Sequence, residues 1–326
     1  MKILFLVPPE TISIESSVPK ALEGGKGYYP KLGLMYVASW YERATGNTPV
    51  FIDCPPEGIT ENELLKQVEK IQPDMVAMSI MTFNLLDALQ TAKSLKQKHP
   101  NILICLGGPH VNMYPKETLD QPNIDFVVFG EGEKIFTELA TALEKDISDS
   151  EALQAINGLG WKKNGLSNIN PAQTELLDLD ELPFPEREKL WGIDDQQKKE
   201  VDVSYIVSIR GCPYKCTYCA SPFHWKRNKT EFRSPGSVLN EMKYLHDNYW
   251  TDNRIDYSAS ANMDSKENLI IKDNAIVYFV DDVFTVRRPR VKEILRGMLD
   301  SGLKMPWKCE ARTDNLDEEI CDLMKQ

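Results

Sequence analysis

Three thiols crowd into the segment Cys212-Pro213-Tyr214-Lys215-Cys216-Thr217-Tyr218-Cys219, with three residues between the first two and two between the last. A loop of that length wraps three thiolates around one corner of an iron–sulfur cube. Full protein ligation of a cluster normally takes four Cys, so three leave one iron open to another ligand. Zinc is the alternative, because His224 follows five positions after Cys219 and completes a Cys3His set suited to tetrahedral coordination. Unliganded thiols are the third reading. The flanks favour a cluster. An apolar strand over 203–209 runs through Arg210-Gly211 into the first cysteine, and β/α units follow, as expected of a catalytic loop at the top of a barrel strand.

Those units are a helix at 238–249, a strand at 276–280, a helix at 291–299, a strand at 305–309 and a helix from 316. They predict part of a (β/α) barrel over 201–326, ending before closure. The polar stretch 251–272 interrupts them.

The first half alternates strands and helices. Apolar runs at 3–7, 50–52, 75–80, 102–106 and 126–129 read as buried parallel strands, with amphipathic helices at 32–43, 64–71, 85–95 and 135–143 between and after them. Parallel neighbours need crossovers, and helical crossovers cover both faces of the sheet, so an α/β, flavodoxin-like, doubly wound domain is expected over 1–147. Ligands of such sheets bind beyond the carboxyl ends of the strands. The loops there carry Ser79 and Thr82, Gly107-Gly108-Pro109-His110, and Gly130-Glu131-Gly132-Glu133. Paired glycines let backbone approach a ligand closely. A Gly-x-Gly-x-x-Gly is missing after the first strand, which argues against an ordinary dinucleotide site. Residues 148–200 read as a connector stiffened by Pro183 and Pro185, with a small hairpin around 158–162.

The 326 residues carry 38 Lys plus Arg against 49 Asp plus Glu, a formal charge of -11, which repels a phosphate backbone. No apolar run reaches the roughly 18–20 residues of a membrane span. The apolar start at 3–7 is too short for a signal peptide. Seven cysteines, an odd number, suit metal or redox chemistry in a reducing cytoplasm. Cys54, Cys105, Cys309 and Cys321 read as small buried hydrophobes, and Arg287, Arg288 and Arg290 as a solvated basic turn.

The three-cysteine motif, with aromatic Tyr218 before its last cysteine, resembles that of radical S-adenosylmethionine (SAM) domains. Residues 1–147 resemble the cobalamin-binding domain that precedes it in one large subgroup. The resemblance implies that Cys212, Cys216 and Cys219 bind a 4Fe-4S cluster whose open iron takes SAM, cleaved on reduction to a 5'-deoxyadenosyl radical. Tyr218, Asp281 and Asp282 are then expected near cluster and SAM. Ser79, Thr82, Gly107, Gly108, Pro109, His110, Gly130, Glu131 and Gly132 are expected near cobalamin. An Asp-x-His-x-x-Gly cobalt-ligating motif is absent from this sequence. The implied activity is methyl transfer to an unactivated carbon of a small molecule, with a flavodoxin or ferredoxin as electron donor. Oxidative cyclisation, as in anaerobic porphyrin cyclases, another radical rearrangement, and a non-catalytic cobalamin- or zinc-binding fragment are the alternatives.

Overall fold

The structure is a computed structural model that describes residues 1–12, 31–146, 149–185, 187, 203–221, 230–249, 276–303 and 305–326. The chain divides into two compact units, one of Met1–Leu177 with Leu182–Gly192, the other of Asp178–Glu181 with Ile193–Gln326.

The first unit begins with β1 (Ile3–Val7), every residue of which is buried. Burial on both faces is what an unbroken apolar run requires. Then come α1 (Leu32–Thr45), β2 (Val50–Asp53), the single turn α2 (Cys54–Glu57), α3 (Glu61–Ile71), β3 (Met75–Ser79), α4 (Leu85–Lys98) and β4 (Leu103–Gly107). Short helices α5 (Pro109–Met113) and α6 (Pro115–Leu119) lead to β5 (Phe126–Val128) and α7 (Gly132–Lys145). Sequence patterning misses α5 and α6 because each is a single turn or so, too short to show a period. The start of α3 is fixed by a reciprocal capping box between Thr60 and Glu63.

The sheet order is β2-β1-β3-β4-β5, all parallel, which is the flavodoxin-like order expected. Side chains alternate across β1. Phe5 packs with Tyr41 of α1 and Phe136 of α7, ring centroids 6.4 and 5.2 Å away. Leu4 and Leu6 join Leu64, Val68, Ala88, Ala92 and Leu95, which belong to α3 and α4. Removing the Phe5 ring is expected to cost about 3–5 kcal/mol.

Part of the expected connector belongs to this sheet. After α8 (Ser150–Ala155), the hairpin β6 (Leu159–Lys163) and β7 (Leu166–Ile169) adds two antiparallel strands beside β5. The reason is edge protection: β5 has backbone groups to satisfy, and an antiparallel neighbour satisfies them without a crossover. Asn170 locks the hairpin, accepting from the Trp161 indole at 3.2 Å and donating to the carbonyls of Leu153 and Ile156.

In the second unit, β8 (Val203–Ile206), β9 (Ile209–Arg210), β10 (Glu231–Phe232), α9 (Pro235–Tyr249), β11 (Ile276–Phe279), α10 (Arg288–Asp300), β12 (Trp307–Cys309) and α11 (Glu318–Lys325) follow in order. A three-stranded parallel sheet, β12-β11-β8, carries the β/α units, and β9 pairs antiparallel with β10. Among the described residues the sheet does not close into a barrel. Helices α9 and α10 approach so closely that a Cβ on Gly297 would meet Leu239 Cδ1 at 2.3 Å. The stretch 251–272 lies outside the described residues. No helix among the described residues is long and apolar enough to cross a membrane.

Candidate functional site

The expected strand 203–209 is two strands, and the break explains how the cysteine loop is held. Asp281, just past β11 and 2% exposed, accepts hydrogen bonds from the amides of Ser208 and Ile209 at 2.7 and 2.8 Å and from the Ser208 hydroxyl. These amides therefore cannot join a ladder, and β8 stops at Ile206. Arg290 of α10 donates to the carbonyls of Ser208 and Arg233 at 3.0 and 2.8 Å. Arg233 in turn donates to the carbonyl of Val207 at 3.1 Å and pairs with Glu241 of α9 in a buried salt bridge. The turn from β8 to β9 is thus clamped by one carboxylate and two guanidinium groups.

Burial pushes the Asp281 carboxyl up to about 6, although its three donors pull the other way, and pushes Arg290 down to about 10. The sequence expectation of a solvated turn is overturned for Arg290, which is only 8% exposed and serves as a backbone clamp. Arg288 is engaged too, donating to the carbonyls of Asp314, Asn315 and Leu316. Arg233, Glu241 and Arg290 went unrecognised in the sequence because each reads as an ordinary charge on an amphipathic stretch.

Past β9, Gly211 at φ 88° turns the chain into the cysteine loop, a conformation that favours glycine. Cys212, Cys216 and Cys219 are all free and partly buried, and the amide of Cys219 donates to the carbonyl of Cys216 at 3.1 Å. Burial raises the Cys212 thiol, with Asp282 adding to the shift. Tyr218 is 91% exposed. Asp282 accepts from Ser221 at 2.9 Å. Asp281, by contrast, spends its oxygens on the chain itself.

Among the described residues no three His, Cys, Asp or Glu side chains converge as one metal ion would need. His224, the fourth ligand of the zinc reading, lies outside the described residues. Three free, partly buried thiols on one short loop are the donor set of a cluster that keeps one iron open. Of the remaining cysteines, Cys54 and Cys105 are buried as expected, while Cys321 is exposed, because it lies on the outer side of α11 away from buried Ile320.

In the first unit, the loops after β3, β4 and β5 are tied together at the carboxyl ends of the strands. Gly108, at φ 95°, lies so close to the β3 loop that a Cβ would sit 2.6 Å from Ser79 Oγ and 2.8 Å from the Ile80 amide. The amide of Ile80 donates to the carbonyl of Gly107, and that of His110 to the carbonyl of Ile80. His110 Nδ1 and Thr82 Oγ1 share a hydrogen bond of 3.0 Å, and burial holds the imidazole below its usual pKa. Pro109 opens α5, and Asn112 accepts from the amide of Gly130 at 2.9 Å. Glu131 is 2% exposed and accepts from the amide of Leu177, so it fastens the chain past the hairpin. Gly132 starts α7 against Val37 of α1.

Beside these loops stand large apolar side chains in water: Met81, Phe83, Leu86, Met113 and Tyr114, each between 37% and 47% exposed. Sequence patterning does not separate them from core residues. They put exposed apolar surface past β3 and β4, beside the Gly107-Gly108 turn.

Comparison with known proteins adds the following. Residues 23–140 match the B12 binding domain family. An uncharacterized methyltransferase from Pyrococcus horikoshii is 30% identical over 100% of this chain and 63% of its own length. The anaerobic magnesium-protoporphyrin IX monomethyl ester cyclase of Rubrivivax gelatinosus is 25% identical over 92% of this chain and 50% of its own. The chain thus spans about half to two thirds of these relatives. A radical SAM methyltransferase from Kitasatospora setae, solved with cobalamin and a [4Fe-4S] cluster bound, superposes with a TM-score of 0.70 at 16% identity, covering 99% of this chain and 59% of that one. At that identity the likeness is one of fold.

Proposed function

From the B12 binding domain match over residues 23–140, and from a fold shared along 99% of the chain with a radical SAM methyltransferase, we propose that the chain belongs to a cobalamin-dependent radical SAM enzyme. The reaction proposed is methyl transfer to an unactivated carbon of a small molecule. In this reading the first unit holds cobalamin and the second holds the cluster and SAM. The observation that carries it is the three-thiol loop that follows β8 and β9, in a chain whose other unit has a closely packed glycine turn and exposed apolar side chains past the carboxyl ends of its parallel strands.

When bound, the cluster supplies single electrons to SAM, and cobalamin supplies a cobalt centre that carries methyl groups. The chain's own residues bind and orient. Cys212, Cys216 and Cys219 present thiolates, and Asp281 with Arg290 fixes the root of their loop. In this reading exposed Tyr218 and Asp282 would contact what the cluster binds. Met81, Phe83, Met113 and Tyr114 would exclude water from bound cobalamin, and Ser79, Thr82 and the loops 107–110 and 130–132 would line its site. His110, bonded to Thr82, holds two of those loops together. A flavodoxin or ferredoxin in the reducing cytoplasm completes the system as electron donor.

The test is anaerobic reconstitution with iron, sulfide and hydroxocobalamin. About four irons and one cobalamin per chain are expected, with Cys216→Ala losing iron and keeping cobalamin. Stoichiometric zinc without a cluster overturns the reading. With the reduced, reconstituted protein and methyl-labelled SAM, label missing from the product despite turnover rejects methyl transfer in favour of cyclisation.

A further inference from the structure

Arg312, three residues past β12, reaches back over the cysteine loop. Its guanidinium carbon stands 4.0 Å from the centroid of the Tyr214 ring, and Nη1 stands 4.0 Å from Cys216 Sγ, within reach of a hydrogen bond to sulfur. Nε and Nη2 donate to the two carboxylate oxygens of Asp314 at 3.0 and 2.8 Å. The Tyr214 hydroxyl donates to Asn315 Oδ1 at 2.7 Å, so ring and guanidinium are both fixed to the loop after β12. Arg288 holds that loop from its other side through three carbonyls. Stacking, a two-point grip on a carboxylate and a third N–H toward sulfur use the planar guanidinium in a way an ammonium cannot reproduce.

Hydrogen bonds to the sulfurs of a cluster, and charge near it, set its reduction potential. An electron added to the cluster increases negative charge at the thiolates. A donor on one of them stabilises the reduced state. We propose that Arg312 is a tuning residue, which through its N–H contact with Cys216 raises the reduction potential of the cluster held by Cys212, Cys216 and Cys219. The inference rests on the cluster assignment made above. Arg312 acts through Cys216 and takes no part in ligation. Asp314 opposes it by neutralising the guanidinium. Because the two side chains are 37% and 57% exposed, added salt weakens their effect.

The experiment is a dithionite titration of the anaerobically reconstituted chain with redox mediators, followed by electron paramagnetic resonance of the reduced cluster. At the potential where wild type is half reduced, Arg312→Gln is expected to shift the reduced-to-oxidised ratio about tenfold toward oxidised, equal to about 59 mV for one electron. Arg312→Lys is expected to shift it less, and Asp314→Asn in the opposite direction. Should Arg312→Gln load less iron, the Lys and Asn variants carry the measurement. An intact cluster with the same midpoint in all four proteins overturns the role of Arg312 alone. A wild-type chain that forms no cluster overturns this role together with the cluster assignment.

Discussion

The loops past β3, β4 and β5 and the cysteine loop are built on opposite plans. Past β3, β4 and β5 the loops are knitted to one another by Gly107–Ile80, His110–Thr82 and Asn112–Gly130 hydrogen bonds, so their shape is complete in the chain itself. The cysteine loop is fixed at its root by Asp281 and Arg290 and touched from above by Arg312, with Tyr218 standing in solvent. A preformed macrocycle is bound by matching its shape, which rewards a rigid cradle. A cluster makes strong bonds to its own loop and shapes it on binding, so the protein need only fix where the loop begins.

The contrast can be broken by experiment. The largest effect is expected from Gly108→Ala. The added methyl collides with Ser79 and the Ile80 backbone at a left-handed φ, a combined cost of about 3 kcal/mol. Cobalamin retention should fall by tenfold or more in equilibrium dialysis while iron loading stays unchanged. Equal loss of iron would dissolve the distinction between the two plans.

Asp281→Asn comes next. The Asn oxygen can still accept from the amides of Ser208 and Ile209, but an NH2 replaces the oxygen that accepts from the Ser208 hydroxyl and the charge on those bonds is lost, at a cost of about 1–2 kcal/mol. Iron loading should drop while cobalamin binding holds. The pH dependence sharpens this test. The folded-state value of about 6 lies above the ordinary 3.8, so the protonated form favours folding. That contribution is fully present below pH 4 and is lost as pH rises through 6, on the order of 3 kcal/mol for the second unit. Urea midpoints between pH 4 and 7 should show the fall in wild type, and Asp281→Asn should flatten it.

The smallest effect is a control in the scaffold. Thr60→Ala removes the capping box of α3 and should cost about 1 kcal/mol in thermal unfolding, with both cofactors retained. A change in cobalamin affinity there would mean that the cradle is less self-contained than its hydrogen bonds imply.

Legibility followed chemistry. The three thiols announce themselves because cysteine at that spacing has few other uses, and the parallel strands because runs such as 3–7 are apolar on both faces. The clamp on the β8–β9 turn was hidden: Val207 and Ser208 sit inside an apolar run, and only the carboxylate of Asp281, distant in sequence, stops the strand. The small hairpin around 158–162 was legible, but its place in the sheet was hidden, because only the open side of β5 calls for it. Phe83 and Tyr114 look like core residues until topology puts them past the strand ends. What escaped the sequence is what long-range partners decide.

The hydrogen bonds from Ser208 and Ile209 to Asp281 span 73 and 72 residues of chain. During synthesis the three thiols leave the ribosome well before the carboxylate that fixes the start of their loop. Until β11 has been made and docked, the loop has no anchored root and its cysteines are open to wrong metals and to oxidation. Assembly of the cluster therefore has an order imposed by chain connectivity: iron and sulfide delivered after Asp281 has docked meet a shaped loop, while delivery to a nascent chain meets a loose one.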